Sequence, residues 1–216
     1  MGIILASNSP RRRELLKMIG IEDFRIIPDT GGEDIPSGLS PELAVCKIAL
    51  QKARNVSALC DTSRPFYGDS EPLRPVDSRP PQGRTIISPD DIIIAADTLV
   101  YLNGHPLGKP NDERDAAAML RMLSGNRHTV YTGVALLRGD VHVTGAEVTE
   151  VFFRAVSESE IAAYVKTGEP MDKAGAYGAQ GRGALFIERL EGDFFNVMGL
   201  PLCRLSIMLR DFGVFL

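Results

Sequence analysis

Asp91-Ile92-Ile93-Ile94-Ala95-Ala96-Asp97 sets three successive isoleucines and two alanines between carboxylates. An unbroken, β-branched apolar run of this length reads as a central strand buried on both faces. Upstream, Gly2 to Leu5 reads as a second buried strand. Ser9-Pro10 follows it with a helix start, Ser at the N-cap and Pro at the first helical position, and the helix closes at Gly20. Phe24 to Ile27 makes another strand. Ser40-Pro41 repeats the start signal for a longer helix, to about Leu59. Downstream, Thr98 to Leu102 and His105 to Leu107 flank Asn103-Gly104, a two-residue hairpin signal. Asn111 or Asp112 caps a helix to about Leu123. Arg127 to Leu137 and Val141 to Val156 form a second hairpin over Gly139-Asp140. Ser157 and Glu160 make a capping box for a helix ending at Gly168. A glycine-rich loop from Asp172 to Gly183, a strand from Ala184 to Glu191 and a helix from about Leu200 to Arg210 complete the chain.

Hairpins mixed with strand–helix units predict a mixed, twisted β-sheet with flanking helices. The class is α/β, bordering on α+β. The 216 residues suit a single domain, 1–216. Residues from about 60 to 90 interrupt it. They hold Pro65, Pro72, Pro75, Pro80, Pro81 and Pro89 without apolar periodicity, and read as an extended insertion.

Lys and Arg number 24 against 28 Asp and Glu, a net charge of -4. A general nucleic-acid binder would carry a basic excess, so nucleic acid is not an expected partner. No apolar run approaches the ~18 residues that span a membrane, and the start lacks the basic segment of a signal peptide. Cys46, Cys60 and Cys203 are widely spaced and odd in number, which argues against a disulfide framework or a zinc site. The expected setting is the reducing cytoplasm.

Four features carry candidate chemistry. Ser7-Asn8-Ser9-Pro10-Arg11-Arg12-Arg13 places three arginines in the first turn of a helix. A helix N-terminus is already partly positive, so the added cations are unfavourable without a bound anion. Two serine hydroxyls add donors, and the arrangement suits a phosphate chain. The plainer alternative is a solvated basic face balanced by Glu14. Lys52 falls within the apolar stripe Ile48, Ala49, Ala53, Val56, where a lysine either snorkels or meets a negative group. Asp97 stands where the central strand is expected to leave the core. There it could bind a metal, act as a base, or merely form a turn. In Asp172-Lys-Ala-Gly-Ala-Tyr-Gly-Ala-Gln180-Gly181, the glycines allow close backbone approach to a ligand, and Gln180 could read a base edge. Phosphate-loop, dinucleotide-binding and nucleophile-elbow motifs are absent from the sequence, and His105, His128 and His142 lack zinc spacing.

Taken in order, these segments resemble the Maf family, named for a link to septum formation and similar to nucleoside triphosphate pyrophosphatases. The resemblance rests on Leu5 to Leu16, Ala96-Asp97-Thr98, Leu107-Gly-Lys109-Pro110, Leu123-Ser-Gly125, Tyr131-Thr-Gly133, Asp172 to Gly181 and Val197 to Pro201. It implies a fold similar to inosine triphosphate pyrophosphatase (Maf/Ham) and hydrolysis of a nucleoside triphosphate to monophosphate and pyrophosphate. Arg11, Thr98 and Gln180 resemble the subgroup acting on dTTP and UTP. By that resemblance Asp97 and Glu33 (Asp34 as the alternative) hold a divalent cation, Mg²⁺ or Mn²⁺, and Asp97 accepts the proton of the attacking water. Arg12, Lys52 and Lys109 neutralise phosphate charge. Ser7, Ser9, Arg11, Arg12, Arg13, Thr98 and Gln180 position the nucleotide. A homodimer is also implied. Rival expectations are a pyrophosphatase for non-canonical purine nucleotides and a non-catalytic nucleotide-binding regulator of septation.

Overall fold

The computed structural model describes residues 1–31, 35–59 and 87–216. Cys60, Glu33, Asp34 and nearly all of the expected proline-rich insertion lie outside the described residues.

The strands are β1 (Ile3–Leu5), β2 (Arg25–Ile26), β3 (Ile92–Leu102), β4 (His105–Leu107), β5 (Arg127–Arg138), β6 (Val141–Phe153) and β7 (Ile187–Glu191). The helices are α1 (Pro10–Met18), α2 (Pro41–Ser57), α3 (Glu113–Leu123), α4 (Glu158–Val165), α5 (Phe194–Met198) and α6 (Leu202–Arg210). All seven strands of the described residues join one mixed sheet in the order β2-β1-β3-β5-β6-β7, with β4 paired to β3. β1 pairs parallel with β2 and β3; the β3–β5, β5–β6, β6–β7 and β3–β4 pairings are antiparallel. No described helix is long and apolar enough to cross a membrane. Cys46 and Cys203 are free thiols.

The isoleucine run acts as its sequence requires. Ile92, Ile94 and Ala96 pack with α1 and α6, while Ile93 and Ala95 pack beneath α2 on the opposite face. Further along, Val100 and Leu102 join a second cluster with α3 and α4. Local signals set several ends. Ser40 Oγ caps α2 through the Leu43 amide, and Ser157 with Glu160 closes a capping box on α4. Asn103 and Gly104 take φ of 52° and 80°, the left-handed values of a tight hairpin turn. Ser9 occupies the N-cap of α1, but its side chain makes no capping bond. Instead Ser7 Oγ accepts from the Ser9 amide at 3.2 Å.

Two expectations need correction. β3 does not leave the core at Asp97 but runs unbroken to Leu102, because β5 pairs with it from Ile93 to Tyr101. The expected strand from Ala184 begins only at Ile187, since Arg182–Phe186 coils into a 3-10 turn. The short helix α5 was not anticipated. It is anchored by Asn196, which is fully buried and donates from Nδ2 to Val130 O at 3.0 Å and Thr149 Oγ1 at 2.8 Å.

His128 lies inside the α3–α4 cluster, edge-on to Phe153 and Tyr177, with Nε2 2.8 Å from the Tyr177 hydroxyl. Burial lowers its pKa from 6.5 to about 4. Between those two pH values the unfolded imidazole holds a proton that the folded one rejects, so acid draws the unfolded state. Unfolding free energy should therefore fall by about 3 kcal/mol from this group as pH drops through that window. In urea titrations at stepped pH, the slope should flatten in His128→Gln. A slope equal to wild type would show that His128 is not its source.

Candidate active site

A gap in the edge of β3 makes the site. Its β5 side is paired from Ile93 to Tyr101. On the other side β1 covers Ile92 to Ile94 and β4 covers Val100 to Leu102. Between them neither strand pairs with Asp97 or Thr98. A cleft of about 400 Å³ opens there, reached by the end of β1, the start of α1 and the loop from Asp172 to Gln180. Alternation along the strand turns Asp97 toward α2 and Thr98 toward α1.

On the α2 side, Lys52 Nζ meets Asp97 Oδ1 at 2.7 Å, and both side chains are about nine-tenths buried. A carboxylate in such a place is held by pairing with a cation. Lys52 takes one oxygen; the described residues place no hydrogen bond on Oδ2. On the α1 side, Arg12 spreads its guanidinium across the floor. Nε donates to Gly199 O at 2.8 Å, Nη1 to Ser7 Oγ and Nη2 to Thr98 Oγ1, both at 3.3 Å. Thr98 Oγ1 lies 3.0 Å from Thr132 Oγ1, which donates to Asn196 O at 2.8 Å. Since Thr132 spends its proton on Asn196, Thr98 donates to Thr132 and accepts from Arg12. The chain of bonds fixes one rotamer for each group.

The glycine-rich loop is held as firmly. Glu169 accepts from Tyr164 Oη at 2.9 Å, the Arg182 amide at 3.0 Å and the Gly183 amide at 3.3 Å. A Cβ on Gly181 would come within 2.3 Å of Glu169 Oε1, so the backbone there packs directly on the carboxylate. Lys173 Nζ donates to Asp172 Oδ1 and Glu169 O, both at 2.5 Å. Two side-chain ties cross from this loop to α1: Arg11 to Asp172 at 3.5 Å, and Gln180 Nε2 to Glu14 Oε2 at 2.9 Å.

Residues 2–212 match the family described as Maf-like protein. The chain belongs to the Maf-like family. Proteins named dTTP/UTP pyrophosphatase are similar throughout its length. That of Pelotomaculum thermopropionicum is 45% identical over 213 residues, 98% of this chain and 96% of the relative. That of Moorella thermoacetica is 46% identical over 215 residues, 98% and 95% of the two chains. Among solved structures, a HAM1 protein from Coxiella burnetii aligns with TM-score 0.45 and 16% identity, over 98% of this chain and 99% of that one.

Of the residues singled out in the Maf-like sequence, Ser7, Ser9, Arg11, Arg12, Lys52, Asp97, Thr98, Lys109 and Gln180 line the one cleft. Arg13 does not. Glu33 and Asp34 lie outside the described residues. Asp172, Lys173 and Tyr177, outside the expected site residues, also line the cleft. The charged pair Asp172-Lys173 at the start of the glycine-rich motif is the sequence signal that points to them.

Proposed function

We propose that this Maf-like protein hydrolyses dTTP and UTP to the nucleoside monophosphate and pyrophosphate. The observation that carries the reading is Asp97, a nearly buried carboxylate lining the cleft on β3 between the β1 and β4 pairings, with one oxygen on Lys52. Water attacks the α-phosphorus, the α–β anhydride bond breaks, and pyrophosphate leaves. Asp97 accepts the proton of the attacking water. Arg11, Arg12, Lys109 and Lys173 border the same cleft, where cations oppose the charge that grows on phosphate oxygens. Thr98 and the Ser7 hydroxyl sit beside the Arg12 guanidinium and position the nucleotide. Gln180 faces the base.

The donors fit a hard divalent cation. Among the described residues, the cleft is lined by the carboxylates of Asp29, Asp97 and Asp172, hard oxygen donors. Such donors suit an ion taking most of its shell from phosphate and water. Asp97 would hold it, with Glu33 or Asp34 as a second carboxylate. Mg²⁺ or Mn²⁺, when bound, neutralises triphosphate oxygens in the transition state. A cytoplasmic homodimer completes the reading.

Pyrophosphate release from a panel of canonical and modified triphosphates tests it, with Mg²⁺ and with EDTA. Release should be confined mainly to dTTP, UTP and close pyrimidine relatives, and EDTA should abolish it. Release mainly from purine analogues would overturn the specificity. Nucleotide binding without release would favour a regulator instead.

A further inference from the structure

We propose that Glu14 is a specificity-determining residue: it fixes which way round the Gln180 amide faces the nucleotide base. The inference rests on the pyrimidine reading above.

Gln180 carries a carbonyl, which only accepts, and an amino group, which only donates. Turning the amide by half a turn exchanges the two with almost no change of shape. Which order a nucleotide meets is therefore a matter of what else the amide touches. Here it touches Glu14 of α1, at 2.9 Å. An ionised carboxylate accepts and cannot donate. The amino group must take the Glu14 side, because the reversed amide would set its carbonyl oxygen against the carboxylate. With one Nε2 proton on Glu14, the other Nε2 proton and Oε1 remain for the base in a fixed order.

That order matters for pyrimidines. Uracil and thymine present an N3–H donor beside the O4 acceptor. Cytosine presents the reverse, an N3 acceptor beside an N4 amino donor. An amide locked one way pairs with one pattern and opposes the other, as paired donors and acceptors do in base-edge recognition. The backbone beneath Gln180 is already fixed: Glu169 ties the following Arg182 and Gly183 amides, and Tyr164 Oη accepts from the Gly178 amide at 3.1 Å. The side-chain rotation is the remaining freedom, and Glu14 removes it. Glu14 does not line the cleft, so it acts as a positioning residue through Gln180.

Glu14→Gln tests this. A glutamine there can offer either its carbonyl or its amino group, so Gln180 can turn. Both residues are exposed, and thermal unfolding should match wild type. The ratio of kcat/KM for UTP to that for CTP should fall roughly tenfold, the scale of one paired base-edge contact. In a Gln180→Leu background the same substitution should leave the ratio unmoved, as a pairwise effect requires. A UTP-to-CTP ratio unchanged by Glu14→Gln, whether both activities persist or fall together, would overturn the proposal. A wild-type enzyme inert toward UTP and dTTP would instead overturn the parent reading, and this one with it.

Discussion

Asp97→Asn is expected to lower kcat for dTTP by about 10³-fold, within the range lost with a general base, while nucleotide affinity holds or rises. Asparagine keeps the shape of the side chain and leaves a carbonyl oxygen for Lys52 Nζ, now 2.7 Å from Oδ1. It cannot take up a proton from water. The substitution also removes a negative charge from a cleft that must receive a polyanion, so Lys52 is left with more positive field to offer the phosphates. Binding and turnover should part company, and a difference in that direction is what removal of a transition-state interaction produces. Calorimetric titration with dTTP and pyrophosphate release on the same preparation measure both sides. Turnover like wild type in Asp97→Asn would remove Asp97 from the proton-accepting role.

The sheet was legible where local pattern and tertiary demand coincide. Ile92 to Ala96 read as doubly buried, and helices do cover both faces. The Asn103-Gly104 turn and the Ser157–Glu160 box are local chemistry, and each appears where its residues stand. The continuity of β3 was not legible. Asp97-Thr98 looks like a break because two polar residues follow five apolar ones, and only the distant β5 shows that both are paired within a sheet. α5 depends on Asn196 reaching Val130 and Thr149, more than forty residues back in the chain, and nothing local announces it.

The site divides in the same way. Lys52 in an apolar stripe signalled a need for a partner, but the stripe does not say which carboxylate answers. The arginine cluster pointed to an anion site at the helix start without separating its members. Successive residues on a helix are turned by about 100°, so three neighbours cannot share one face; Arg11 and Arg12 line the cleft and Arg13 does not. The capture of Arg12 by Gly199 O, and of Gln180 by Glu14, joins segments 187 and 166 residues apart. Pairings of that span are set by the fold.

Gly133→Ala is expected to damage stability and catalysis together. Gly133 of β5 stands opposite Asp97 of β3, and paired residues of an antiparallel ladder point to the same face. That is the face on which α2 lies. A Cβ at Gly133 would come within 2.4 Å of the Val45 carbonyl carbon and oxygen and 2.6 Å of the Cys46 amide nitrogen. Those are backbone atoms of the helix and cannot rotate aside. Non-bonded carbons prefer about 3.5–4.0 Å, so α2 must retreat by on the order of 1 Å. The retreat loosens Ile48, Ala49 and Ala53, buried residues of the helix itself. Overpacking of this kind costs roughly 1–3 kcal/mol, or several degrees in Tm for a chain of this size. α2 also carries Lys52, and a shift of about 1 Å in a positioning group can lower kcat by about 10²-fold. Differential scanning fluorimetry and pyrophosphate release at saturating dTTP read the two effects on one variant. A fall in Tm with kcat intact would mean that Lys52 finds Asp97 without α2 seated on Gly133, and that the close approach serves the core alone.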